Sequence, residues 1–348
     1  MVKTKEKIDL AKLSEEELMN LRVCDLPLSI EGSWLKSCVE ELYNNLESKG
    51  INFKPECYLA DEWLTPDKEP VVGIAFFLSD PTLMKLERKM ILEVEGGTRS
   101  WCMKLLRHEA GHALNYAYKF YRRKKWKSVF GEFSKEYEDT YRFRPYSKSF
   151  VRHLEDYYAQ YHPDEDFAET FSVWLTPGLN WEKQYRGWKA IDKLKYVDEL
   201  MQEIKIKPPM VSKGKKYWQA SQIKATLNNF YKKKRRSYAE EFPDFHDSNL
   251  KRIFSPLEEK SLSDKDKGKN LAADILKRRK KDILNNIAKW TGEKKYTISD
   301  LLDNIIRRSK ALSLGSEKDE ALVMLEISAY VTTLVMNYLH TGWFSKGK

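Results

Sequence analysis

His108-Glu109-Ala110-Gly111-His112 sets two imidazoles four residues apart, with a carboxylate next to the first. On a helix, residues i and i+4 share a face about one turn apart, so both rings can bind one metal ion from the same side. Glu109 would then stand beside the metal, placed to take a proton from a water activated there. The surroundings predict the helix that this chemistry needs. Trp101, Leu105, His108, His112 and Tyr116 fall on one side, and no proline interrupts residues 98–121. Thr98, after Gly96-Gly97, is a suitable N-cap. Gly111 costs about 1 kcal/mol relative to alanine inside a helix, so its presence predicts close approach by another segment.

Zinc catalysis needs a third protein ligand and an open fourth position. The run Asp164-Glu165-Asp166-Phe167-Ala168-Glu169-Thr170-Phe171 supplies candidates, and Glu169, 57 residues after His112, is the expected ligand. Pro163 suits the first turn of a new helix, and the acids after it favour a helix N-terminus. Phe167, Phe171, Trp174 and Leu175 form an apolar stripe at helical spacing. Asp166, three residues before Glu169, is expected to orient a histidine ring while Glu169 binds metal.

HEAGH followed by a helix carrying DFAETF resembles the gluzincin zinc metallopeptidases. The nearest likeness is to a bacterial group of zinc-binding metallopeptidases. A looser one is to the anthrax-lethal-factor-like and Pro-Pro endopeptidases. The resemblance covers residues 23–206. It implies Zn2+ held by His108, His112 and Glu169, with Glu109 as general base. In the lethal-factor-like group a tyrosine seven residues before the ligand glutamate stabilises the transition state. Counted from Glu169 that position is His162, so the chain departs from the pattern, with Tyr161 adjacent and Tyr157 and Tyr158 a turn earlier. Either His162 or Tyr161 can donate a hydrogen bond to an oxyanion, with His162 preferred. The resemblance also implies an edge strand that pairs with an extended peptide substrate. Gly73, Ile74, Ala75 and Phe76, in the apolar run 70–78, are the candidates. An ordinary core strand is the other reading of that run.

The expected fold is therefore α+β: a zincin-like metallopeptidase domain with a small mixed sheet and a long active-site helix, then a basic, mainly helical region. Residues 1–22 read as a polar helical lead-in, 23–206 as the metallopeptidase-like domain and 207–348 as the accessory region. Charge marks the second boundary. The chain carries +10, yet residues 207–348 hold 30 Lys and Arg against 17 Asp and Glu, a net of +13, leaving −3 for residues 1–206. Lys207-Pro208-Pro209 also reads as a linker. The basic runs Lys232–Arg236 and Lys277–Lys281 predict either a nucleic-acid surface or the solvated face of a helical domain, the latter preferred. Cys24, Cys38, Cys57 and Cys102 form no C-x-x-C pair and read as buried free thiols. No unbroken apolar run of about 18 residues and no apolar signal core is present, so no membrane span and a cytoplasmic location are expected. His153, His246 and His340 have no matching partners in the sequence, and no role is expected for them.

Two functions of different class follow. One is a zinc metallopeptidase acting on a peptide or protein. The other is a nucleic-acid- or protein-binding module on a metallopeptidase-like scaffold. An intact Glu109 favours the first, because losing it is the simplest route to an inactive scaffold.

Overall fold

Thr98 caps the helix that carries both histidines, its hydroxyl accepting from the Trp101 amide at 3.3 Å. In the computed structural model, which describes residues 8–91, 94–137, 144, 147–154, 157–236, 246–256 and 271–341, this helix is Arg99–Ala117. The chain divides into two units, the first ending at Tyr231 and the second made chiefly of residues 232–348.

Four helices and two strands place the site in the first unit: α1 (Leu35–Ser48), β1 (Glu56–Ala60), β2 (Val71–Ala75), α2 (Arg99–Ala117), α3 (Pro163–Leu175) and α4 (Ala190–Ile204). β1 and β2 are parallel, in register from Glu56↔Val71 to Ala60↔Ala75. Leu64 adds an antiparallel bridge to Gly73. The result is helix-dominated with a small sheet, in agreement with the α+β expectation. α2 is buried on nearly every side, from Cys102 to Ala117 with only Lys104 exposed, so it runs through the core rather than along the surface. Ser14 and Glu17 form a reciprocal capping box on the short helix Glu15–Asn20 of the lead-in. All four cysteines are free; Cys38 and Cys102 are buried, and Cys24 and Cys57 half-buried.

α3 starts at Pro163, as the sequence predicts, with three acids in its first turn. It crosses α2 at Gly111. A Cβ there would lie 2.9 Å from Ala168 Cα and 3.2 Å from its carbonyl oxygen. This is the close approach that the glycine predicts. Gly111→Val should therefore cost about 1–3 kcal/mol by overpacking. Denaturant melts check this; an unchanged melt would mean that the helices part without cost.

The domain boundary differs from the charge boundary. Residues 207–231 belong to the first unit, not to the accessory region. Met210 and Val211 amides bond the Ala117 carbonyl, the Tyr58 hydroxyl donates to the Tyr217 carbonyl at 2.9 Å, and the Val23 amide bonds the Ala225 carbonyl. Lys207-Pro208-Pro209 marks a turn in the chain, and its positive charge reports solvent exposure, not the end of packing.

The second unit has its own core. Helices α5 (Ala272–Thr291), α6 (Lys295–Ala311) and α7 (Glu320–Thr341) bury Ile283, Ile287, Leu302, Ile305, Val331 and Val335 together. By length and composition alone, Glu320–Leu339 is apolar enough to cross a membrane, with mean hydropathy 1.5. Its inner side packs into this core. Most of the basic run at 277–281 is paired: Lys277 with Asp274, Arg278 and Arg279 with Glu320, Arg279 also with Asp282, and Lys280 with Asp303 at 2.6 Å. Lys232 and Lys233 are exposed on the helix Leu227–Arg236.

Candidate metal centre

The crossing of α2 and α3 brings three ligand atoms together. His108 Nε2 lies 3.0 Å from Glu165 Oε2, His112 Nε2 lies 3.2 Å from the same oxygen, and the two Nε2 atoms are 3.1 Å apart. Bonds of 2.0–2.1 Å at tetrahedral angles would set donors about 3.3 Å apart, so the triangle could hold a tetrahedral metal ion. All three side chains are buried.

The other ring nitrogens show why only a cation fits between them. His108 Nδ1 is 2.9 Å from Glu169 Oε1, and His112 Nδ1 is 2.9 Å from Asp164 Oδ2. A carboxylate accepts, so each Nδ1 donates and each neutral ring aims its Nε2 lone pair inward. Two lone pairs and a carboxylate oxygen then converge with no hydrogen among them, which is stable only around a proton or a metal ion. Without metal, protons fill the role. Burial alone would lower the His108 pKa, but Glu165 and Glu169 outweigh it and push it up to about 9. Burial likewise opposes His112, which Asp164 and Glu165 hold well above the usual imidazole range. Burial would raise Glu165, yet the two histidines keep it well below the carboxylate range. Metal binding must therefore displace protons.

Glu165, not Glu169, takes the ligand place. Glu169 stands one turn further along α3 and grips the far nitrogen of His108, while its Oε2 accepts from the Leu154 amide at 2.9 Å. Asp166 faces elsewhere: its Oδ2 pairs with Lys193 on α4 at 2.5 Å. Burial pushes Asp166 up to about 7 against the pull of Lys193. The ring-orienting work expected of Asp166 is done by Glu169 and Asp164. Asp164 is itself fixed, accepting from Asn115 Nδ2 at 2.7 Å and the Tyr116 hydroxyl at 2.5 Å. The Tyr137 hydroxyl donates to Glu165 Oε1 at 2.8 Å. Asp164, Glu165, Asn115, Tyr116 and Tyr137 were not foreseen. A signal was available for one of them: Glu165 and Glu169 are four apart, matching the pitch of the two histidines they face.

Glu109 is buried beside the cluster. Burial raises its carboxyl pKa, opposed by the charges of His108 and His112. Its backbone carbonyl accepts from the Thr65 hydroxyl at 3.0 Å.

Both ring nitrogens of His162, one of the two expected oxyanion donors, are engaged elsewhere. It caps α3, with Nδ1 accepting from the Asp164 amide at 3.1 Å and Nε2 donating to the Lys135 carbonyl at 2.7 Å. The Tyr137 ring stacks on it at 3.9 Å. Tyr161 packs against Tyr137 and Tyr158. The Tyr158 ring lies 5.6 Å from that of His108 between centroids. Burial raises its pKa, as do the fields of Glu165 and Glu109.

The expected substrate strand is also displaced. β2 is buried along its whole length, and Phe76 begins a 3-10 turn. Gly73 already exchanges both backbone bonds with Leu64, at 2.8 and 3.2 Å. It is glycine because a Cβ would meet Leu64 Cδ2 at 2.7 Å. The edge beside Glu109 is instead Trp63-Leu64-Thr65. Leu64 points its amide and carbonyl at Gly73, and those of Trp63 and Thr65 bond nothing among the described residues.

Searches against family models, curated proteins and solved structures find no match to this chain.

Proposed function

We propose that the first unit is a zinc-dependent metallopeptidase. The observation that carries this reading is the convergence of His108 Nε2, His112 Nε2 and Glu165 Oε2 within 3.2 Å, each ring fixed from behind by its own carboxylate. Zinc held there would supply Lewis acidity and bring the pKa of a water toward about 7. Glu109 takes a proton from the attacking water and passes it to the leaving amine. Burial, which raises its pKa, suits it to both steps. The free backbone groups of Trp63 and Thr65 offer an extended peptide a strand to pair with.

Tyr158 is the transition-state donor in this reading. The likeness to lethal-factor-like enzymes asks for a tyrosine seven residues before the ligand glutamate. Counted from Glu165, that position is Tyr158, so the earlier departure from the pattern disappears. Tyr158→Phe should lower kcat by about 10²–10³ with zinc retained. His162→Ala should instead cost about 0.5–2 kcal/mol of stability, as loss of a cap does. A full-speed Tyr158→Phe enzyme would remove Tyr158 from the mechanism.

Elemental analysis of untagged protein, paired with a peptide library, tests the whole proposal. One zinc per chain is expected, with cleavage that stops on chelation and returns with zinc. Absence of zinc after supplementation would overturn it.

A further inference from the structure

A second cavity, of about 540 Å³, lies in the first unit between α2 and the C-terminal part of α3, and no metal ligand lines it. Its volume suits a small organic molecule rather than a lone ion. Arg99, Lys104, Arg107 and Arg152 line it, against Glu41 as the single lining carboxylate among the described residues. Glu41 is already engaged, 2.6 Å from Arg99 Nη2 and 3.6 Å from Arg107 Nη2. Lys104 donates to a neutral acceptor, the His153 carbonyl at 3.1 Å, and has no carboxylate partner among the described residues.

Arg107 is the built part of the wall. It is 8% exposed. Asn45 Oδ1 fixes its Nε and Nη2 at 3.1 and 3.0 Å. Its Nη1 has no hydrogen-bond partner among the described residues and is left for the cavity. Its one counter-charge among the described residues, Glu41, stands 3.6 Å away and is shared with Arg99, so the buried guanidinium is only partly compensated. Met103, Val173 and Tyr185 supply apolar surface on the same cavity.

We propose that this cavity binds a phosphorylated organic molecule of sugar-phosphate or mononucleotide size. A phosphate brings close to two negative charges and three acceptor oxygens, which a carboxylate does not. Guanidinium groups pair with phosphate through charge-assisted hydrogen bonds, and Arg107 is held in a fixed orientation to offer its Nη1. The apolar wall takes the organic part.

Calorimetric titration of the full chain with ribose 5-phosphate, adenosine monophosphate, adenosine triphosphate, inorganic phosphate and citrate tests this. At least one organic phosphate should bind about tenfold or more tighter than inorganic phosphate and citrate. Arg99→Gln with Lys104→Gln, both exposed positions, should weaken it about tenfold or more, while Lys277→Gln with Lys281→Gln on α5 should leave it unchanged. Three results would overturn the proposal: no organic phosphate binding below about 1 mM, inorganic phosphate or citrate binding as tightly, or binding lost with the α5 pair and not the cavity pair.

Discussion

Glu165→Ala is expected to weaken zinc binding on the order of a thousandfold, and Glu169→Ala by only about 10–100-fold. Glu165 Oε2 lies within 3.2 Å of both inward-facing nitrogens, so its loss removes a ligand and leaves two lone pairs uncompensated. The Tyr137 hydroxyl would also lose its acceptor. Of the two rings, Glu169 reaches only His108, and only at its outer nitrogen. Removing it loosens the ring and lowers its basicity without opening the coordination set. Competition titrations with a chromophoric chelator read both constants. Equal losses, or the reverse order, would return the ligand role to Glu169. Since the metal competes with protons held by raised histidine pKa values, wild-type affinity should fall as pH falls.

Glu109→Gln is expected to cut peptide hydrolysis by about 10²–10⁴-fold while zinc stays bound. Glutamine keeps the shape of the side chain, so the buried site need not repack. It cannot accept a proton at working pH, and that is the one property the mechanism uses. The loss should fall on kcat rather than KM, because ground-state peptide pairing at Trp63 and Thr65 is untouched. Hydrolysis at the wild-type rate would sink the proposed role and favour the scaffold reading, in which metal only holds the fold.

What the sequence made legible was local. The helix around HEAGH, the Thr98 cap, the Pro163 start and the close approach at Gly111 follow from periodicity and capping, which need only neighbours along the chain. The choice among Asp164, Glu165, Asp166 and Glu169 is not local. Successive residues are turned about 100° around a helix, so which carboxylate meets a histidine depends on how α3 is rotated against α2. Gly111 and Ala168 set that rotation, and the run PDEDFAE hints at it only through the four-residue spacing of Glu165 and Glu169. β2 failed for a related reason: an apolar run shows that a strand is buried but not which neighbour covers its edge. Leu64 covers it, 9 residues earlier than Gly73.

The bonds from Met210 and Val211 to the Ala117 carbonyl have a practical meaning for how the protein can be cut. The metal helix ends on a carbonyl whose partners arrive about ninety residues later, from a stretch that its charge alone would assign elsewhere. The smallest autonomous catalytic fragment should therefore extend through Tyr231, not stop at Ile206. Trimming at 206 would fray the last turn of the helix that carries His112 and would uncover Tyr58 and Val23. Side-by-side limited proteolysis of fragments 8–206 and 8–231 would display the difference as a short-lived and a long-lived species.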